Sequence, residues 1–452
     1  MGRIGTPEMT QPERKYAIEG RRDPEAGRVD HMSVHMDANK AYRDEVERRG
    51  GDADGAILED HRQRYARYRR QWREQPRDAV ARGLTGDAFR ATGAPPLCVD
   101  VEVAAVCDLA CPFCFRQTFA TPDKVIADDL CYRIIDQAAE LGVPSMKFNW
   151  RGEPLLNPKL PDYIAHAKSK GILETIINTS ATKLDADMAE RLIDAGLDIM
   201  IYSFDGGTKE TYERMRPGRF GNNAFDAVYG NILDFARIRE AKGSVFPRTK
   251  IQMILTEDSF DEQAAFFALF EDCVDDVTVK QYTERGAGLS DLDGDARVRL
   301  AVALRDLDLD EDTAHMRDMD GGLHVATGRL PCEQPYQRLL VTYDGRVAMC
   351  CYDWGAQHPI GFVDLAAIDT GEAAYAEIVD KTSASAKGFE LMDRVAMPAL
   401  YNAPALQVSS LSDLWYGLEI DRVRTCHVDG RGDDVEVCRR CQFKETYAWQ
   451  AV

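Results

Sequence analysis

The chain has 452 residues, 44% hydrophobic and 29% charged, which supports two or three domains at about 100–200 residues each and a sizeable apolar core. Its formal charge of −20 repels phosphate backbones, so nucleic acid is excluded as a partner without a local basic patch. No run of about 18 apolar residues is present, and the residues from Met1 to Tyr16 lack a hydrophobic signal segment, so no membrane contact and a cytoplasmic location are expected.

Residues 1–95 are polar and rich in Arg, Asp and Glu, and read as a partly flexible helical extension. Met1-Gly2 with Thr6 fits the loose myristoylation pattern, and His31 and His35 stand four apart; both are read as coincidences of a flexible surface. The densest basic stretch, Arg62 to Arg82, has acids and aromatics mixed into it and reads as a solvated helix face. The spacing predicts a helix over Ala56–Arg82, with Tyr65, Tyr68 and Trp72 on one face, packing on the main domain rather than serving as a lid. Gly93, Pro95 and Pro96 punctuate its end.

From residue 97 strands and helices alternate. Strands are expected at Leu97–Val103, Ser145–Trp150, Leu173–Thr179, Asp198–Phe204, Lys250–Leu255 and Val277–Tyr282, with helices such as Asp128–Leu141, Pro161–Lys170 and Ala186–Ala195 between them. Gly142, Gly171 and Gly196 each follow a helix, where a left-handed cap is needed. Six such units argue for parallel strands with right-handed crossovers, too few for a closed eight-stranded barrel. An α/β fold with a partial (β/α)6 barrel over residues 96–285 is therefore predicted, with its chemistry at the C-terminal ends of the strands. Residues 286–330 read as an acidic, irregular connector. Residues 331–452 read as a small separate domain with a hairpin at Leu339–Met349, turned at Asp344-Gly345, and helices near Glu372–Val379 and Ser412–Thr425.

Twelve cysteines in a chain without an export signal suggest metal or redox chemistry rather than disulfides. Cys107, Cys111 and Cys114 converge from one loop after the first strand. A structural zinc site wants four closed ligands, and no fourth Cys or His lies nearby; three soft ligands suit a [4Fe–4S] cluster with one open iron.

The Cys-x3-Cys-x2-Cys spacing resembles the signature of the radical S-adenosylmethionine (SAM) superfamily. Three further segments agree in order. Trp150-Arg-Gly-Glu-Pro154 resembles the family's Gly-Gly-Glu-Pro, Asn178-Thr-Ser-Ala-Thr182 its Asn-Thr-Asn-Gly-Thr, and Ser203-Phe-Asp-Gly206 with Arg216 its Ser-x-Asp-Gly…Arg element. The resemblance implies that SAM chelates the open iron and is cleaved to a 5′-deoxyadenosyl radical, which takes a hydrogen atom from the substrate. It implies that Gly152, Glu153 and Pro154 present backbone to SAM, that Phe113 lies near the adenine, that Ser203 hydrogen-bonds SAM and that Arg216 pairs with its carboxylate. Arg151 departs from the family's commoner glycine.

Cys332, Gly345 and Cys350 match the opening of the SPASM auxiliary-cluster module, and Cys438 and Cys441 supply two more thiols. With no later cysteine, this resembles the shortened, single-cluster Twitch version, closed by four thiolates. A zinc ribbon is the rival for the same four positions, and Cys351 the rival to Cys350; position after a radical SAM core favours one auxiliary [4Fe–4S] cluster. Members with one closed auxiliary cluster include aminocyclitol dehydrogenases, so the resemblance implies oxidation of a sugar or aminocyclitol alcohol to a ketone, with an external reductant such as flavodoxin or ferredoxin. The alternatives are a radical epimerase of a similar sugar, with Cys273 as hydrogen donor, and modification of a ribosomal peptide.

Overall fold

The strands between residues 98 and 281 bury one face against helices that carry apolar stripes, and this sets a layered α/β architecture. The structure is a computed structural model that describes residues 16–19, 53–114, 116, 121–221, 223–256, 258–281, 294–309, 313–317, 322–353, 356, 358–364, 408–439, 441 and 446–452. Strand β1 (Tyr16–Glu19) precedes the long α1 (Ala53–Ala81) and the short α2 (Gly86–Arg90). The core follows as β2 (Cys98–Val101), α3 (Asp128–Glu140), β3 (Ser145–Lys147), α4 (Leu160–Ser169), β4 (Glu174–Thr179), α5 (Ala186–Asp194) and β5 (Ile199–Ser203). It continues with α6 (Lys209–Met215), α7 (Phe225–Ala241), β6 (Arg248–Leu255), α8 (Gln263–Phe270) and β7 (Asp276–Gln281).

The strands β7-β6-β5-β4-β3-β2 pair in parallel in that spatial order, an open partial barrel. Val99 and Val101 of β2, Met146 of β3, Met200 and Tyr202 of β5 and Val277 and Val279 of β7 belong to the outer core shared with the helices. By alternation Cys98, Asp100, Lys147, Ile176, Ile201, Lys250 and Lys280 face the barrel interior. Gly142, Gly171 and Gly196 have φ of +82°, +91° and +80°, the left-handed caps expected after α3, α4 and α5.

The predicted aromatic face of α1 closes the N-terminal end of the barrel. Tyr65 and Tyr68 donate to the two oxygens of buried Glu174 at 2.6 and 2.9 Å, and pack with Trp72, Leu97, Cys98, Leu173 and Phe246. This helix is a floor at the end away from the chemistry rather than a lid.

The stretch from 286 to 330 corrects the expectation of an irregular connector. It holds α9 (Gly294–Asp306), β8 (His315–Arg317) and β9 (Leu323–Arg329). Next come β10 (Arg338–Val341), β11 (Arg346–Ala348) and β12 (Gly361–Phe362), then α10 (Leu411–Trp415), α11 (Leu418–Val428), α12 (Glu436–Arg439) and β13 (Tyr447–Ala451). β13 pairs antiparallel with β9, which pairs with β8. The expected hairpin is β10–β11, with Gly345 at φ +85°. β10 also pairs in parallel with β2, so the C-terminal hairpin continues the barrel sheet. At the opposite edge β1 pairs in parallel with β7. The helix expected over Ser412–Thr425 is two helices divided at Gly417, where a Cβ would lie 2.7 Å from the Asp413 carbonyl. Met1 to Thr6, His31, His35 and the helix expected at Glu372–Val379 lie outside the described residues. Among the described residues no helix is long and apolar enough to cross a membrane.

Candidate active site

The loop after β2 carries Cys107, Cys111 and Cys114 across the C-terminal mouth of the barrel. Backbone bonds lash it down: Ala110 donates to the Pro217 carbonyl at 2.8 Å, Arg219 to the Asp108 carbonyl at 2.7 Å, and Cys114 to the Cys111 carbonyl at 3.0 Å. Cys111 is buried and the other two are half-buried. Burial pushes the thiols of Cys107 and Cys111 up to about 12, the penalty for a bare thiolate that iron coordination would offset. Cations gather at the same place. Arg219 Nη1 reaches the Cys107 carbonyl at 3.5 Å, and Arg216 and Arg116 lie close enough to influence Cys111 and Cys107. The donor set and its field therefore fit an anionic iron–sulfur cluster.

Gly152 turns the chain under this loop with φ +63°. A Cβ there would meet the Ala104 and Val106 carbonyls at 2.4 and 2.5 Å, so only glycine fits. Gly152→Ala is expected to weaken SAM binding at least about tenfold, since both the φ and the packing forbid it; equilibrium dialysis with labelled SAM measures this, and unchanged affinity would remove the loop from the site.

Glu153 N–H donates to the Val106 carbonyl at 2.8 Å. Its carboxylate accepts from Thr179 Oγ1 and from the N–H and Oγ of Ser180 at 2.6, 2.7 and 2.7 Å. Burial raises the carboxyl's pKa while these bonds pull it down. Glu153 thus fastens the end of β4 through its carboxylate, and its carbonyl accepts from Leu156 N–H at 3.1 Å. Pro154 opens a short 3-10 turn behind it. At the end of β4 the Asn178 side-chain oxygen is buried and has no hydrogen-bond partner, an orphaned acceptor at the mouth. Ser203 ends β5 on the inward face.

Arg216 is held by an acid of its own chain. Its Nη2 and Nε lie 2.6 and 2.8 Å from Asp205 Oδ2, and its guanidinium sits 6.0 Å from the Phe113 ring centroid. Asp205 Oδ1 accepts from Ile254 N–H at 2.7 Å, so the acid ties Arg216 to β6. Asp205 is a positioning residue that sequence reasoning missed, although it sits inside the quoted Ser-x-Asp-Gly segment. Cys273 is corrected outright as a donor at this mouth. It lies between α8 and β7, at the N-terminal end of the strand, with its thiol against the Leu269 and Phe270 carbonyls, and burial pushes it up to about 11.

The C-terminal group closes a second site. Cys332, Cys350, Cys438 and Cys441 together line one cavity, flanked by Arg329 and His427. Cys351 does not line it; its sulfur faces Arg338 Nη1 at 3.9 Å. Among the described residues no three Cys, His, Asp or Glu side chains are gathered tightly enough for one metal ion. The four thiols line the same cavity, a soft donor set that suits an iron–sulfur cluster. His427 Nδ1 accepts from Cys332 N–H at 3.4 Å, and burial, aided by Arg329, pushes its pKa down to about 4. The neutral ring then carries its proton on Nε2, a buried atom without a partner, which suits a cluster sulfur as acceptor.

Two contacts join the sites. Arg151 Nε and Nη2 bind the two oxygens of Glu102 at 2.6 and 2.7 Å, with the side chains 1% and 0% exposed. Glu102 also accepts from Tyr343 N–H of the hairpin at 3.2 Å. Trp150 Nε1 donates to the Cys351 carbonyl at 3.1 Å.

A partial barrel with three thiols at its mouth and a four-thiol module continuing its sheet defines an enzyme that works with two iron–sulfur centres. Residues 101–229 match the model of the radical SAM superfamily, and residues 332–442 match that of an iron–sulfur cluster-binding domain, SPASM, so the chain carries both domains. Its cofactors are SAM, the [4Fe–4S] cluster that binds SAM and an auxiliary cluster, and it needs a reductant. It is 37% identical over 122 residues to the PqqA peptide cyclase of Granulibacter bethesdensis, covering 27% of this chain and 32% of that protein. It is 24% identical over 165 residues to the tungsten-containing aldehyde ferredoxin oxidoreductase cofactor-modifying protein of Pyrococcus furiosus, covering 36% and 44%. The chain thus spans less than half the length of these relatives. Among solved structures, BtrN in complex with AdoMet and 2-DOIA aligns with 79% of this chain and 98% of its own, at 14% identity and a TM-score of 0.40. Streptococcus suis SuiB bound to precursor peptide SuiA aligns with 71% and 74%, at 14% identity and a TM-score of 0.43.

Proposed function

We propose that this chain modifies a peptide by removing a hydrogen atom from it. The supporting observation is the 37% identity to a PqqA peptide cyclase, which spans 122 residues. When bound, the reduced cluster and SAM supply the 5′-deoxyadenosyl radical. Cys107, Cys111 and Cys114 would hold that cluster. The backbone of Gly152, Glu153 and Pro154, with Ser203, Arg216 and Phe113, would hold SAM, and Asn178 joins them through its orphaned oxygen. Cys332, Cys350, Cys438 and Cys441 would hold the auxiliary cluster.

Oxidation of a sugar or aminocyclitol alcohol is the second reading. It draws on the closed auxiliary site, whose four thiols suit an electron acceptor rather than a substrate chelator. Incubation of the reduced, reconstituted enzyme with SAM and a short peptide encoded beside its gene separates the two. A peptide lighter by two hydrogens is expected by mass spectrometry. An unchanged peptide, with ketone formed from an added aminocyclitol, would reverse the order of the two readings. Carbon-bound deuterium at an inverted sugar centre after turnover in heavy water would instead indicate an epimerase.

Loss of Cys438 and Cys441 together should spare SAM cleavage but stop product formation, with iron falling from about eight to about four per chain. Full product yield from that variant, or stoichiometric zinc in its parent, would refute the auxiliary-cluster assignment.

A further inference from the structure

The chain carries a net charge of −20, yet the interior of its barrel gathers cations. Lys147 of β3, Lys250 of β6, Lys280 of β7 and Arg338 of β10 occupy inward positions, where the acids are Asp100, Asp276, Glu174, which is held by Tyr65 and Tyr68, and Glu102, which is paired with Arg151. Arg338 binds Asp100 Oδ2 at 2.9 Å, and the Cys98 thiol lies 3.5 Å from Asp100 Oδ1. Asp276 stands opposite Lys250 in register. Lys147 stands opposite Asp100 in register, an acid already bonded to Arg338 and approached by the Cys98 thiol. Among the described residues Lys147 makes no hydrogen bond or ion pair. Its electrostatic neighbours are Asp100, Arg338, Cys351 and Lys280, and burial is the largest influence on it, lowering its pKa.

An ammonium half-enclosed without a carboxylate is costly unless a ligand completes it. Its height in the barrel indicates which ligand. Lys147 is the last residue of β3 and Lys280 lies near the end of β7, so both stand on the side where Gly152, Asn178 and Ser203 form the mouth. A group drawn down onto Lys147 would hold the rest of the substrate beneath the cysteine loop.

We propose that the barrel interior binds a carboxylate of the substrate, with Lys147 as its anchor and Lys280 and Arg338 shaping the positive field around it. Resting on the peptide reading above, this names an acidic side chain as the group recognised. Neither Lys147 nor Lys280 belongs to the cluster or SAM motifs, so the site is a specificity device separate from radical generation.

The test is calorimetric binding to the full chain with both clusters reconstituted and SAM present. The probes are N-acetylglutamate α-methylamide, its neutral glutamine counterpart, and glucuronate as a sugar acid. The glutamate probe is expected to bind at least about tenfold more tightly than the glutamine one, and more weakly as salt rises. Lys147→Met should lose about tenfold or more for the glutamate probe, while Lys147→Arg should stay within about threefold of the parent. Lys280→Met, more weakly affected, serves should Lys147→Met fail to hold its iron. Equal binding of the acid and amide probes, no saturable binding of either carboxylate, or parental affinity in the folded Met variants would overturn the proposal. Lysine-dependent binding of glucuronate in preference to the glutamate probe would uphold the site while removing the peptide reading. A modified peptide whose acid and amide forms bind alike would do the reverse.

Discussion

Protein with alanine at Cys107, Cys111 and Cys114 is expected to hold about four irons per chain after anaerobic reconstitution instead of about eight, and to cleave no SAM. No neighbouring thiol can replace the three. Cys98, on the same strand-and-loop segment, points into the barrel towards Asp100 and Ser145, and Cys131 is buried in α3. The loop itself should survive, because its anchors are backbone bonds to Pro217 and Arg219 rather than the thiols. The remaining iron belongs to the cavity formed by the other four cysteines, on elements far along the chain. Iron analysis with Mössbauer spectroscopy checks the count, and 5′-deoxyadenosine release checks cleavage. Retention of about eight irons, or of cleavage, would mean that the open cluster sits elsewhere.

Local rules were enough to read the barrel. The six parallel strands follow from alternating apolar runs, and the helix ends from glycines that the structure places at positive φ. Distant pairing was not readable. β9 looked irregular because its partner β13 lies more than a hundred residues later and no local period reveals that register. In the site the same division holds. The cysteine spacings and the Gly152 turn are short-range patterns with a geometric cause. The partners that fix them are not: Asp205 for Arg216, Thr179 and Ser180 for Glu153, and Glu102 for Arg151. Of the adjacent Cys350 and Cys351, the spacing from Gly345 picks Cys350, and that residue lines the cavity while the Cys351 sulfur lies against Arg338. Substrate identity had no local pattern, because the inward positions proposed to recognise it come from separate strands.

Arg151→Gly, which installs the residue commoner in the family, is expected to destabilise this chain by about 3–5 kcal/mol, the cost of leaving a buried carboxylate without its cation. Glu102 cannot turn to water, since its side chain is 0% exposed and is held between β2 and the Tyr343 N–H. Both oxygens receive a guanidinium N–H, a bidentate geometry that lysine would not reproduce. Glu102→Gln alone should also destabilise, by stranding the cation stacked 4.6 Å from the Trp150 ring. Arg151→Met with Glu102→Leu together should recover much of the loss, because two apolar groups of similar size leave no buried charge. Thermal unfolding of the parent, Arg151→Met alone, Glu102→Leu alone and the double variant closes the cycle, and a coupling of at least about 2 kcal/mol is expected. Additive effects within about 0.5 kcal/mol would show that the pair is not coupled. The same variants probe the link between the two centres. Arg151 precedes Gly152, and Glu102 is bonded to the hairpin that leads to Cys350. The glycine variant should therefore weaken SAM binding and auxiliary-iron retention together, whereas a merely local loss of packing would weaken only the first.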